Sequence, residues 1–334
     1  MPKLTLYSPS QWKQAYPDPG EKFTHQFLAQ GDSWFSIGAL PPMLTTNLLM
    51  EMTFQDSACA LNYAQPGAEG AQMVSASATW VFNPEFVTSM QQTKWDAILM
   101  SLGGNDLIDA VQAQWQDDAA HTLLDPKLRL LLVPGEWGAQ ADVSRFLSAE
   151  GWQTFSNHLR EVFRNLVALR DQNGSKSADV PLFFHSYHCL QPRNVGVGFH
   201  GPSGGWQIGP WLYKALINFG IPNSNDEWRA LTKQLMDQLS TLLQQIATSY
   251  PQLYFADLRA APIAYANVND PGATVDWANE IHPTHAGYQA LSATYGAFVE
   301  NTLKPAANGS ANVASAAVMP RIPVPWLNGA VEHH

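Results

Sequence analysis

Ser33, Asn105 and His282 are the residues whose types and surroundings offer this chain a chemistry. In Phe27-Leu28-Ala29-Gln30-Gly31-Asp32-Ser33-Trp34 a short apolar run delivers a serine into a glycine-led turn just before a helical stretch, which is where a nucleophile would sit. A serine hydroxyl is a poor nucleophile at neutral pH and needs a base within hydrogen-bond reach. His282, in Ile281-His282-Pro283-Thr284-His285-Ala286-Gly287-Tyr288, is the candidate base. It would take the Ser33 proton as the serine attacks an electrophilic carbon and return it to the leaving group. Ser101-Leu102-Gly103-Gly104-Asn105-Asp106 follows a second apolar run. Each residue alone has a plainer reading. A Gly-Asp-Ser serine can cap the next helix, Pro66-Gly67 is a common turn dipeptide, Asn105 and Asp106 can cap a segment, and His282 before Pro283 can start a turn. Asp32 and Asp106 are read as structural groups bonding the backbone near the site.

In order and spacing these segments resemble the GDSL, or SGNH, hydrolase family. That family carries a serine in its first motif, an oxyanion glycine in the second, an asparagine in the third and a histidine in the last. The matching positions here are Ser33, Gly67 in Asn62-Tyr63-Ala64-Gln65-Pro66-Gly67, Asn105 and His282, spread in that order across most of the chain. The resemblance implies a serine acyl-enzyme, no cofactor, no metal, and an oxyanion hole made by the backbone N–H groups of Ser33 and Gly67 with the side-chain amide of Asn105. The last motif departs from the family pattern. An aspartate is usual three residues before the histidine, and that position is Asn279. An asparagine carbonyl can accept a hydrogen bond from the ring and orient it, but it lacks the charge that stabilises an imidazolium. Asn279, at the matching position, is the first candidate for the third member, and Asp276 nearby is the alternative.

The elements that must hold these residues follow from hydropathy. Short apolar runs alternate with longer helical patterns, which argues for a parallel sheet covered by helices. Strands are expected near 27–30, 58–63, 97–102, 181–187 and 253–257, and helices over 45–52, 144–170, 225–249 and 284–302. Five strands separated by helices fit the α/β, three-layer α/β/α sandwich that the resemblance implies, a parallel sheet of flavodoxin-like order 2-1-3-4-5. In such sheets ligands sit at the carboxyl ends of the strands, and Ser33, Gly67 and Asn105 all follow expected strand ends. Two long connections, 107–143 and 189–210, are expected to roof the pocket, with Trp34, Phe199 and Trp206 as substrate-binding candidates. The catalytic domain is expected to span 1–304. After it comes a tail of low order, 305–334, rich in Ala, Gly, Asn, Ser and Pro, which docks, if at all, through Val324-Pro325-Trp326-Leu327.

The composition narrows the partners. A formal charge of −10, from 28 acidic and 18 basic residues, disfavours nucleic acid and anionic membrane surfaces. With 46% hydrophobic and 14% charged residues, the 334-residue chain reads as globular. Cys59 and Cys189 cannot make a disulfide framework and read as buried thiols. No run reaches the length of a membrane span, and no signal peptide is seen, so a cytoplasmic location is expected with a small soluble ester as substrate. Oligomeric state is not legible.

Rival readings are specific. Gly201-Pro202-Ser203-Gly204-Gly205 matches a nucleophile elbow literally, yet an elbow needs a strand directly before the serine and a helix directly after it. His185 and His188, three apart on a strand, point to opposite faces and cannot easily share a metal ion. His282 and His285 with Asp276 would need further ligands that the sequence does not announce. An acyltransferase, or a ligand-binding protein on a decayed hydrolase scaffold, shares every motif.

Overall fold

The computed structural model describes residues 1–15, 22–36, 46–70, 84–117, 121–188, 190–201, 204–224 and 226–304. Its centre is a parallel sheet of six strands: β1 (Thr5–Tyr7), β2 (His25–Gly31), β3 (Ala58–Asn62), β4 (Ala97–Ser101), β7 (Leu182–His185) and β10 (Leu253–Ala256), in the order β1-β3-β2-β4-β7-β10. Without β1 this is the expected 2-1-3-4-5 order. The sixth strand was not expected. β1 is only three residues long and none of them is buried, so it has no apolar run to announce it; it pairs in parallel with β3 as an edge strand.

The inner strands are apolar on both faces because helices cover both. Phe183 and Phe184 are successive residues of β7, so their side chains point to opposite sides. Phe184 meets Phe163 of α6 (Ala149–Arg170), whereas Phe183 meets Phe298 of α9 (His285–Leu303). α8 (Glu227–Ser249) packs with α6, and α3 (Leu48–Glu51) with α9, completing the two outer layers. Helix starts follow ordinary capping. The Ser148 hydroxyl accepts the Gly151 N–H at 2.9 Å, and the Thr284 hydroxyl accepts the Gly287 N–H at 3.3 Å. The helix expected from residue 144 therefore begins at Ala149, after a one-turn 3-10 segment, Val143–Phe146.

Both long connections contain structure. The first lies partly in α5 (Gly104–Gln112) and then forms a two-stranded ribbon of β5 (Trp115–Asp117) and β6 (Thr122–Leu123). The second holds an antiparallel hairpin, β8 (Val197–Gly201) with β9 (Gly204–Ile208), followed by α7 (Leu212–Asn218). The remaining helices are α1 (Pro9–Gln14), α2 (Ser33–Ser36) and α4 (Pro84–Gln92). The expected tail at 305–334 lies outside the described residues, as do Cys189 and Ser203; Cys59 is buried. Among the described residues no helix is long and apolar enough to cross a membrane.

Candidate active site

Three adjacent strands deliver the first three motifs to one edge of the sheet. β2 lies between β3 and β4, with Ala29 in register with Asn62 and Gly31 with Ser101. Past the strand ends the ladder continues. Asp32 N–H donates to Ser101 O at 3.1 Å, and Gln65 N–H donates to Gly31 O at 2.9 Å. The turn carrying Gly67 is thus sewn beside the turn carrying Ser33. This is the carboxyl edge at the point where the chain changes direction across the sheet, the usual place for a ligand in a doubly wound fold.

Ser33 opens α2, where an N–H has no acceptor within its own helix. Asp32 fixes the turn. Its Oδ1 accepts the Trp34 N–H at 2.9 Å and the Ser101 hydroxyl at 2.8 Å, and its Oδ2 accepts the Tyr187 hydroxyl. Burial pushes the Asp32 carboxyl up to about 6 even though these three donors pull it down. Tyr187 reaches Asp32 by lying across Gly104, where an added Cβ would stand 2.5 Å from the phenol ring. Beneath α2, His185 is enclosed by Trp34, Phe35, Tyr187 and Tyr295. Its Nδ1 meets Ser186 O at 3.0 Å, its Nε2 has no partner among the described residues, and burial lowers its pKa to about 4.

The histidine segment folds around one amide. Asn279 Oδ1 accepts the Ile281 N–H at 3.0 Å and the His282 N–H at 2.9 Å, and lies 3.1 Å from His282 Nδ1. Two backbone donors identify the atom as oxygen, so Nδ1 carries the ring proton. Nε2 is then the acceptor, and Ser33 Oγ stands 2.9 Å from it. His282 is buried, and burial alone lowers its pKa to about 3, which keeps the ring neutral at pH 7.

Groups that the sequence did not announce support this turn. Arg193, fully buried, donates from Nη2 to Asn279 O at 2.8 Å and from Nη1 to Gly272 O. Glu280 accepts the N–H groups of Trp211, Leu212 (3.0 Å) and Tyr213 (2.7 Å) at the start of α7, with that of Arg193 at 3.3 Å. Burial outweighs those donors and pushes its carboxyl up to about 7. Trp211 packs edge-on against the His282 ring, centroids 5.6 Å apart and planes at 83°. The partners of Arg193, Glu280 and Tyr187 lie 67 to 155 residues away in sequence, so no local pattern marks them.

Asn105 is half-buried, and its Nδ2 donates to Ala68 O at 3.0 Å, tying α5 to the Gly67 turn. Gly67 has φ +76°, a conformation that disfavours other residues, while a Cβ there would meet nothing within 4 Å. Glycine is needed at 67 for its backbone and at 104 for space.

The structure separates the remaining candidates. Asp276 is engaged elsewhere: its Oδ2 accepts the Ala264 N–H at 2.7 Å, and its carbonyl accepts the Thr284 N–H. The ring is oriented by Asn279, not Asp276. Trp34 is 3% exposed, and its Nε1 donates to Ile281 O at 3.2 Å, which makes it a strut between the serine and histidine segments rather than an open pocket wall. Phe199 and Trp206 face each other across the β8–β9 ladder, and their side chains lie outside the described residues. Ser203 also lies outside them, but the strands either side of it form a hairpin, not the strand-then-helix of a nucleophile elbow. Asp106 bonds backbone as expected, with its two oxygens 3.1 and 2.9 Å from Gly70 N.

No family model matches the chain, and no curated protein sequence matches it. Among solved structures it is similar to a catalytic mutant of an acetylxylan esterase from Geobacillus stearothermophilus, at 15% identity over 81% of this chain and 92% of that one, with a TM-score of 0.41. A family 3 carbohydrate esterase from Clostridium thermocellum is similar at 11% identity over 84% and 97%, TM-score 0.38. An aryl esterase from M. smegmatis is similar at 12% identity over 83% and 99%, TM-score 0.42. In the order of its motifs and of its five principal strands, the chain resembles the SGNH hydrolases.

Proposed function

We propose that this chain is an SGNH-type serine hydrolase that cleaves carboxylic esters through an acyl-enzyme at Ser33. The observation that carries the reading is the 2.9 Å approach of Ser33 Oγ to the unprotonated Nε2 of His282. Ser33 Oγ attacks the acyl carbon while Nε2 takes its proton. Negative charge gathers on the former carbonyl oxygen, where the Ser33 and Gly67 N–H groups and Asn105 Nδ2 donate to it. Collapse expels the alcohol with the proton from His282, and water then repeats the sequence on the acyl-enzyme. Asn279 holds the ring in the required tautomer through all four proton movements. No cofactor takes part.

The substrate class is a small soluble ester. The connections 107–143 and 189–210, which hold the β5–β6 ribbon and the β8–β9 hairpin, are assigned the selection of the acyl or alcohol group because loops of this length in a compact domain commonly wall a binding site. Shortening the hairpin should therefore change preference across a panel of esters.

The test is treatment with a fluorophosphonate followed by peptide mapping. A label on Ser33 is the expected result, and a label elsewhere, or none in folded protein, overturns the reading. The neutral Asn279 favours one second reading, a ligand-binding protein that grips an acylated molecule without turning it over. Hydrolysis of activated esters separates the two, and product analysis with an added alcohol separates hydrolase from acyltransferase.

A further inference from the structure

The turn that carries Gly67 is docked against α5 by side chains that titrate. Gly70 N–H points at both oxygens of Asp106, and His158 of α6 donates from Nε2 to Asp106 Oδ1 at 3.0 Å. One residue before Gly70, Glu69 is hydrogen-bonded to Asp109, one helical turn along from Asp106. Two carboxyl groups bonded to each other share a proton, because like charges at that range cannot both be accommodated. Asn105, on the same helix, closes the set through Ala68 O. The groups facing Glu69 are therefore Asp106 and Asp109 from α5 and His158 from α6.

We propose that Glu69, with Asp109 and the His158–Asp106 pair, positions the oxyanion turn, holding it docked while the cluster keeps its protons and loosening it when they leave. The proposal rests on the hydrolase reading for its effect on catalysis, but not for the docking itself. Burial and its acidic neighbours raise the Glu69 carboxyl to about 8, and the bond to Asp106 raises His158. Both shifts act in one direction. Protonated Glu69 favours docking fully below the ordinary carboxyl range and no longer does so above about pH 8. Charged His158 contributes fully below its ordinary value and is lost as pH rises through its raised one. Loss of both protons makes the cluster two charges more negative, across an interface between one short turn and one helix. His158 is 40% exposed on its side chain, so the cluster exchanges protons with solvent. His282 is neutral throughout this range, so the base contributes no change of its own.

The experiment follows kcat for an activated ester from about pH 6 to about pH 9, with amide hydrogen exchange at Gly70, corrected for the intrinsic pH dependence, as a second readout. In the unaltered protein kcat should fall about tenfold across the range, a part of the hundred- to thousand-fold that losing an oxyanion donor costs. Protection at Gly70 should fall with it. Glu69→Gln keeps a hydrogen bond to Asp109 without titrating and should make both curves shallower, leaving only the part that follows His158; Asp109→Asn, the second variant, removes a neighbour that raises Glu69 and should move the Glu69 part of the fall to lower pH. A flat profile with constant protection in the unaltered protein overturns the proposal. So does a fall that persists unchanged in both variants. Absence of any ester hydrolysis would sink the hydrolase reading and leave the exchange curves to decide the docking.

Discussion

Asn279→Asp changes the charge beside the base and little else. The side chains are nearly the same shape, and Oδ1 already faces three donors, two from the backbone and one from the ring at 3.1 Å. In serine proteases the opposite change, Asp→Asn, lowers turnover about ten-thousand-fold through the wrong tautomer. Here the backbone donors hold the amide oxygen toward the ring, so the tautomer is right and only the charge is missing. A carboxylate about 4 Å from an imidazolium interacts with it by about 4 kcal/mol at an effective dielectric of about 20. The amide it replaces supplies about half of that, since charge-assisted hydrogen bonds are roughly twice as strong as neutral ones. The remaining stabilisation of the transition state, about 2 kcal/mol, corresponds to about a thirtyfold rise in kcat. The same charge raises the His282 pKa, so an acid limb should appear between about pH 4 and pH 5 in a profile that is otherwise flat there with respect to the base. The gain has a cost in folding. Asp32, equally enclosed and also met by three donors, is pushed up to about 6, and a carboxylate like it costs about 3 kcal/mol at pH 7. Steady-state hydrolysis of an activated ester and urea unfolding measure the two effects. An unchanged or lower kcat in folded Asn279→Asp protein would refute the view that only charge is missing.

Asn105→Ala should lower kcat by about a hundred- to a thousand-fold with a smaller change in KM, read from the same ester assay, and activity near the parent value would remove Asn105 from the oxyanion hole. Gly104→Ala sets a methyl 2.5 Å from the Tyr187 ring, so a loss of about 1–3 kcal/mol in urea unfolding is expected, together with slower fluorophosphonate labelling as Tyr187 is displaced from Asp32. His185→Phe should stabilise the protein selectively in acid. The unfolded chain protonates this histidine near its ordinary value and the native protein only at about 4, so native stability drains away as pH falls between the two. At pH 5 the variant should gain about 2 kcal/mol relative to the parent, read as a rise in urea midpoint that vanishes above pH 7.

Strands buried on both faces were readable because their apolar runs are continuous, and all five of these lie within two residues of where the sequence put them. β1 was not, since an edge strand of three part-exposed residues has no such run. α5 was hidden by its opening Gly103-Gly104, which reads as loop; the glycines answer to Tyr187 and to a left-handed backbone at Gly103, and neither is a local property. Ser33, Asn105 and His282 were visible through motif order. The sequence placed Asn279 ahead of Asp276 by motif position alone, and only the fold shows Asp276 engaged with Ala264. Arg193 and Glu280 were invisible for a further reason. Their work is to satisfy backbone groups of distant segments, and backbone carries no residue code.

Ser33 and His282 are 249 residues apart in the chain. A ribosome adding about 5–20 residues per second needs about 12–50 s to travel between them. During that interval the serine has been made and its strand can pair, but the hydroxyl has no base and is an ordinary alcohol. The histidine segment, made after Arg193 and the residues opening α7, is anchored only when it docks onto them. On the proposed reading, reactivity toward acyl groups switches on once, late, and only in chains whose two ends have come together. A fluorophosphonate added to a translating extract would date that event, as a clock for the last step of folding.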